Sequence, residues 1–302
     1  MSAIAHDLTA RPSSLRVWVS TLRLPTLPAA VSPVVVGTAV AWSDGVADLP
    51  VALAAAAGAL FIQIGTNLFN DYADFKKGAD TAERLGPARA TSKGWLTPGQ
   101  VMAATVLAFA VATAFGVYLL FAAGWPVVVI GVTSIVCGIA YTGGPKPLAY
   151  VGLGDVFVFI FFGLVAVMGT YFVQASTLSP TSFAAAVPIG LLTTAVLVVN
   201  NLRDRHTDAK SGKRTLAVRL GERFTRTQYA VLVVGAFVSV AVTAVLGIHG
   251  LGWLLVLACA PLAVMRIRAL NRLDGGALNP ELGHTAKLGL LFSMLLAVGA
   301  LL

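Results

Sequence analysis

The sequence predicts an all-α, polytopic membrane bundle, and three observations carry that prediction. First, 57% of the 302 residues are hydrophobic and only 11% are charged, whereas roughly 25% are charged in an ordinary soluble domain. A soluble core cannot hide that much apolar surface, and a disordered chain has the opposite composition. Second, the apolar residues come in runs of about 20, the length that crosses a bilayer as a helix, and none alternates as barrel strands do. Third, the 21 Lys and Arg residues, which leave a net charge of +8, fall in segments that one bilayer orientation puts on a single side.

Nine spans follow in order: 26–43, 50–70, 100–123, 125–142, 153–173, 183–202, 228–247, 250–268 and 284–302. A polar stretch with Arg11, Arg16 and Arg23 precedes the first, which is long enough to stay as an anchor and is not read as a cleaved signal. Gly124-Trp125-Pro126 and Ile248-His249-Gly250 close tight helical hairpins. With the N-terminus inside and nine alternating spans, all 21 basic residues are cytoplasmic, and the outer segments hold Asp44, Asp48 and His249. Cytoplasmic loops are enriched in Lys and Arg, so the N-terminus is expected inside and the C-terminus outside, with residues 1–302 forming one integral domain. No basic domain accompanies the positive balance, which argues against nucleic acid as a partner. Cys137 and Cys259 sit inside apolar runs and read as small buried hydrophobes, neither a metal site nor a disulfide. The four histidines are scattered without ligand spacing.

The acidic residues are more informative, because topology does not require them. Seven of 13 lie in two cytoplasmic loops, about 70–99 and 203–227. The first stretch is GTNLFNDYADFKKGAD, residues 65–80. Its Asn67, Asp71 and Asp74 share one helix face by their spacings of four and three. Asn70 lies beside them, and Asp80 follows Gly78, which should end the helix. The second stretch is VVNNLRDRHTDAKSGKRTLAVRLG, residues 198–221, where Asn200, Asp204 and Asp208 form a stripe with spacings of four. Gly212 should break that helix, and Lys213, Arg214 and Arg219 follow. The likeness of the motifs at 67–80 and 200–208 hints at a duplication. Two carboxylate stripes on one side of the membrane suit Mg2+, which takes hard oxygen ligands and leaves positions for water and substrate phosphate. The neighbouring cations suit phosphate oxygens. The competing reading is solvated surface ion pairs, which are worth little. Two matched motifs beside a membrane favour function, since ionisable groups are costly there.

With these motifs the chain resembles the UbiA superfamily of membrane prenyltransferases. Asn70, Asp71 and Asp74, with Asp80 trailing, match its Asn-Asp-x-x-Asp signature, and Asp204 and Asp208 match its Asp-x-x-x-Asp signature. The family's nine-helix bundle agrees with the nine spans. The segments NDYADFKKGAD, GPARATSKGWL, YTGGPKPLAYVGLGD and NNLRDRHTDAKSGKRTLAVRLG resemble one branch, the 1,4-dihydroxy-2-naphthoate polyprenyltransferases of menaquinone synthesis. Lys146 departs from that branch's usual residue.

The resemblance implies a polyprenyl diphosphate donor and a bacterial plasma-membrane enzyme with its site facing the cytoplasm. Asp71 and Asp74 would bind one Mg2+ and Asp204 and Asp208 a second, with Asn67 and Asn70 orienting the first cluster. Lys213, Arg203 and Lys146 are candidates for the diphosphate. Aromatic side chains, Tyr72, Tyr141, Phe157, Phe161 and Tyr171, are candidate walls for an allylic cation. Attack by 1,4-dihydroxy-2-naphthoate with loss of its carboxylate would give demethylmenaquinone. Asp155 either positions the acceptor, takes a proton or caps a helix. Arg23 meets the acceptor carboxylate or fixes topology, and topology is favoured. The rivals are another acceptor, such as 4-hydroxybenzoate, protoheme or a chlorophyll precursor, and a cation-coupled transporter. A transporter places its charges near the bilayer midplane, and the mid-span regions here carry almost none.

Overall fold

The computed structural model describes residues 13–78 and 85–302. Asp80, the trailing acid of the first motif, and Arg11 lie outside the described residues. Among the described residues all regular structure is helical. A short helix α1 (Ser14–Thr21) leads through a 3-10 turn into α2 (Pro28–Ser43). There follow α3 (Leu49–Lys76), α4 (Pro98–Ala123), α5 (Pro126–Thr142), α6 (Gly154–Ala175), α7 (Pro180–Lys210), α8 (Leu216–Val245), α9 (Leu251–Leu270) and α10 (Asn279–Ala300).

Proline and small polar residues set these starts. Prolines occupy the first turns of α3, α4, α5 and α7, where no amide hydrogen bond is lost. Asp48 caps α3 through the Val51 amide at 3.0 Å, and Thr97 and Ser179 build capping boxes at α4 and α7. The ends obey the expected breakers: Gly78 and Gly212 take φ of 65° and 77°, a conformation glycine reaches without a Cβ penalty.

Seven helices are long and apolar enough to cross a membrane, and up to eight if the α1–α2 pair, bent by 48°, is one span. The predicted run at 125–142 is a shorter apolar helix of 17 residues, Pro126–Thr142. The expectation of a multi-pass helical bundle is therefore met.

Three expected boundaries move. Helices α3 and α7 run on to Lys76 and Lys210, so both acidic stripes are fully helical. Helix α8 begins at Leu216, 12 residues before the predicted run at 228, and is broken at Gly221, where φ is 80°. Hydropathy locates the part of a helix that lies in the hydrocarbon, whereas the helix itself continues as long as its caps allow. Helix α6 contains a π-helical turn, Phe159–Val165. There Gly163 lies against Gly190 of α7 so closely that a Cβ would come within 2.6 Å of the Gly190 Cα. Small residues at such crossings let membrane helices pack by contact.

Helix α7 is the most buried of the spans. Its Ala185, Ile189, Leu192 and Val199 join Trp253 of α9 and Phe292 of α10 in the main core. A smaller cluster, with Val51, Leu119, Val127 and Val173, ties the ends of α3, α4, α5 and α6 remote from the acidic motifs. The exterior is apolar, with Leu107, Phe121, Val231 and Val245 exposed.

Candidate active site

Helices α2 to α7 surround a cavity of about 550 Å³. Arg23, Asn67, Asn70, Tyr141 and Asn200 make one end its polar end, and Thr113, Ser134 and Thr170 add scattered hydroxyls elsewhere on the wall. The remainder is mainly apolar, including Val117, Leu120, Val128 and Phe161. A site of this kind presents a polar head region and a water-excluding tail region.

Both acidic stripes reach the polar end through their asparagines, Asn67 and Asn200, while the four aspartates lie behind the lining. Asp71 and Asp74, on the last turns of α3, are 3% and 1% exposed. The Asp71 carboxylate accepts a hydrogen bond from the Thr91 hydroxyl. Asp74 accepts from Arg89 at 2.6 Å, from Lys213 at 3.2 Å and from the Tyr150 hydroxyl at 3.4 Å. Arg89 also donates to the Asn70 carbonyl at 2.6 Å, and the Thr142 hydroxyl donates to the Asn70 side-chain oxygen at 2.6 Å. On α7, Arg203 grips both oxygens of Asp204 at 2.8 and 2.6 Å and reaches Asn200 at 2.7 Å. Its remaining branch donates to Asn279, at the start of α10, at 3.1 Å. Asp208 lies one turn further along the same face of α7.

Tyr150 joins the two motifs. Lys77, from the end of the first motif, and Lys213, from the end of the second, stand 4.9 and 5.3 Å from its ring. Burial first, then the Asp74 charge and hydrogen bond, push the Tyr150 hydroxyl up from its ordinary value, and Asp208 adds in the same direction. Lys77 donates to the carbonyls of Thr142 and Gly144 at 2.7 and 3.3 Å. Its burial lowers its pKa despite the opposing charge of Asp74.

Several expected residues hold different places. Asn67 turns its amide nitrogen to the Leu22 carbonyl and the Thr26 hydroxyl, both at 3.1 Å. It thereby pins the segment in which Arg23 takes a left-handed φ of 56°. Arg23, favoured as a topology signal, also lines the cavity. Lys146 is exposed, and its loop meets the network through Tyr150. Asp155 is not a helix cap: Leu153 holds that position. The Asp155 carboxylate accepts from Asn201 at 3.4 Å and Gln228 at 3.1 Å, tying α6 to α7 and α8. Of the five aromatic candidates, Tyr141, Phe157 and Phe161 line the cavity. Tyr72 packs instead beside Phe69, and Tyr171 donates to Asp44 at 2.7 Å. The sequence reading missed Arg89, Thr91, Lys77 and Tyr150. A signal existed for all four, since Arg89 and Thr91 lie in GPARATSKGWL, Lys77 in NDYADFKKGAD and Tyr150 in YTGGPKPLAYVGLGD, segments already noted.

No group of three acidic, His or Cys side chains among the described residues could hold a metal ion. The donor set nevertheless fits Mg2+. Asp71, Asp74, Asp204 and Asp208 offer hard oxygens in pairs, and Mg2+ uses one or two carboxylates plus water and phosphate. A carboxylate has about four lone-pair sites, so Asp74 and Asp204 can hold their cations and still face an ion.

Comparison with known proteins identifies the fold and the family. Two relatives are described as 1,4-dihydroxy-2-naphthoate octaprenyltransferases. The protein of Escherichia coli (strain K12) is 41% identical over 298 residues, covering 96% of both chains. That of Mycobacterium leprae (strain TN) is 41% identical over 272 residues, covering 89% of this chain and 90% of its own. A solved structure of a UbiA homologue from Archaeoglobus fulgidus bound to DMAPP and Mg2+ superposes with a TM-score of 0.64. It is 12% identical and covers 93% of this chain and 99% of its own, a likeness of fold. Residues 30–281 match the model of the UbiA prenyltransferase family, and the chain belongs to that family.

Proposed function

We propose that the protein transfers a polyprenyl group from polyprenyl diphosphate to 1,4-dihydroxy-2-naphthoate, with decarboxylation, in menaquinone biosynthesis. The observation that carries this reading is the Lys213–Asp74 ion pair at 3.2 Å. It joins the two acidic motifs, whose Asn67, Asn70 and Asn200 form the polar end of a largely apolar cavity. A diphosphate head and a prenyl tail divide in the same way. The two relatives described as 1,4-dihydroxy-2-naphthoate octaprenyltransferases support the choice of acceptor.

Asp71 and Asp74 would hold one Mg2+ and Asp204 and Asp208 a second, and the metal would supply charge stabilisation for the departing diphosphate. Lys213 meets diphosphate oxygens by charge-assisted hydrogen bonds. Arg89 and Arg203 hold Asp74 and Asp204 in place. As the allylic C–O bond breaks, its electron pair leaves with the diphosphate. Tyr141, Phe157 and Phe161 face the resulting cation and exclude water from it. The electron-rich ring forms the new C–C bond, and loss of CO2 returns a bonding pair to the ring. The product is the prenylated dihydroxynaphthalene, the reduced form of demethylmenaquinone. Arg23 lies where an acceptor carboxylate can be met, and Asp155 and Tyr141 are the groups available for proton transfer near it.

The test is an assay of the membranes with Mg2+, octaprenyl diphosphate and a panel of aromatic acceptors, read by product mass. The expected product is prenylated dihydroxynaphthalene, lost when Mg2+ is chelated. Preferential prenylation of 4-hydroxybenzoate would replace the acceptor, and the absence of any prenylated product would overturn the reading.

The same proposal takes nine spans, with the N-terminus and the site on the cytoplasmic side of a bacterial plasma membrane. The distribution of all 21 basic residues supports it. A reporter enzyme fused after Leu302 is expected to read as non-cytoplasmic, and a cytoplasmic signal would refute this orientation.

A further inference from the structure

Two glycines in the cavity wall have no packing reason to be glycine. Gly116 of α4 and Gly131 of α5 both line the cavity. A Cβ built on either meets nothing within 4 Å. Gly138, also on the wall, is different: a Cβ there would lie 2.5 Å from the Thr66 hydroxyl, so close helix packing accounts for it. Gly116 and Gly131 separate no helices, and in a helix every residue but proline has a better propensity. What they leave is empty volume.

Their position says which part of the cavity that volume serves. Gly116 is seven residues before the end of α4, and Gly131 is five after the start of α5. At 1.5 Å per residue both lie roughly 8–10 Å from the α4–α5 hairpin turn. Thr142, which bonds Asn70 at the polar end, is 11 residues further along α5 than Gly131. Gly131 is therefore about 16 Å along α5 from Thr142, and Gly116 stands at a similar depth from the hairpin turn, by the same rise. A short prenyl chain held by its diphosphate does not extend that far, whereas a long one has to pass them.

We propose that Gly116 and Gly131 keep the outer half of the cavity open to the prenyl tail, and so determine the longest chain that the enzyme accepts. The assignment rests on the prenyl-transfer reading above and names the part of the site that discriminates among donors.

The experiment compares Gly131→Ala, Gly131→Leu and Gly116→Leu with the parent protein. All three introduce good helix formers. Donors are geranyl, geranylgeranyl and octaprenyl diphosphate, with 1,4-dihydroxy-2-naphthoate and Mg2+. The quantity read is the ratio of kcat/KM for octaprenyl to that for geranyl diphosphate, in which any general loss of activity cancels. The leucine variants are expected to lower this ratio at least about tenfold, since single groups in an apolar pocket discriminate on that scale. Gly131→Ala should lower it less. A ratio equal to that of the parent, or higher, overturns the proposal, because the side chains would then be pointing away from the tail. A parent protein that prenylates nothing with any of the donors overturns the prenyl-transfer reading itself, which the variants alone cannot do.

Discussion

Asp71→Asn lowers kcat for Mg2+-dependent prenyl transfer by roughly 10²–10³-fold, the scale on which a preorganised electrostatic contact to a departing charge is lost. The thermal unfolding midpoint of the protein in detergent stays where it was. The argument rests on what each aspartate touches. Asp71 is buried, and its neighbour is the neutral Thr91 hydroxyl. An asparagine oxygen accepts that same hydrogen bond, so the fold loses no partner. What disappears is a negative charge from the oxygen set that would bind the metal. Asp74 makes a poorer probe, because Arg89 and Lys213 both depend on it and its removal mixes chemistry with stability. Steady-state rates at saturating Mg2+, together with a melting curve, check the prediction. Wild-type turnover in Asp71→Asn would sink the metal assignment, and an unfolded variant would show that Asp71 is structural.

Arg89→Met destabilises the protein by about 3–5 kcal/mol, the usual cost of removing one partner from a buried pair. Arg89 is 7% exposed and Asp74 1%, and they meet at 2.6 Å. The guanidinium also satisfies the carbonyl of Asn70, in the last turns of α3. Methionine keeps the packing volume of the stem but leaves Asp74 with Lys213 and the neutral Tyr150 hydroxyl. Pairing it with Asp74→Leu removes the stranded charge as well. The double variant should regain part of the stability yet remain inactive, because it lacks a motif carboxylate. Denaturant unfolding in detergent, combined with the prenyl-transfer assay, distinguishes these outcomes. A loss below about 1 kcal/mol in Arg89→Met would mean that the pair behaves as a solvated surface contact.

Much of the architecture was legible in the amino-acid order. Hydropathy marks membrane helices strongly, because the hydrocarbon demands about 20 apolar residues for each. Gly78 and Gly212 ended their helices as expected. The spacing of Asn200, Asp204 and Asp208 is a property of one helix and needs no partner to be read. The same reasoning failed where a residue's role depends on another element. Lys146 and Lys213 are both basic and both beside a motif, but only Lys213 is carried to Asp74. Tyr72 sits within the first motif, yet it packs beside Phe69 and outside the cavity lining. Arg23 reads as a topology signal, and the turn after α1, pinned by Asn67, also brings it to the cavity.

The sequence by itself determined that this is a multi-pass helical membrane protein, that two acidic stripes end two of its helices, and which family it resembles. Those features are local, written in periodicity, spacing and composition. Only the tertiary structure decided that Arg89 and Tyr150 converge with Lys213 on Asp74. It also decided that Asp155 is held by amides, and that Gly116 and Gly131 face open volume. The physical reason is that lipid gives membrane helices no hydrophobic drive toward one another, so their contacts depend on shape and hydrogen bonding between surfaces. Such complementarity belongs to pairs of helices and is not encoded in the pattern of either one alone.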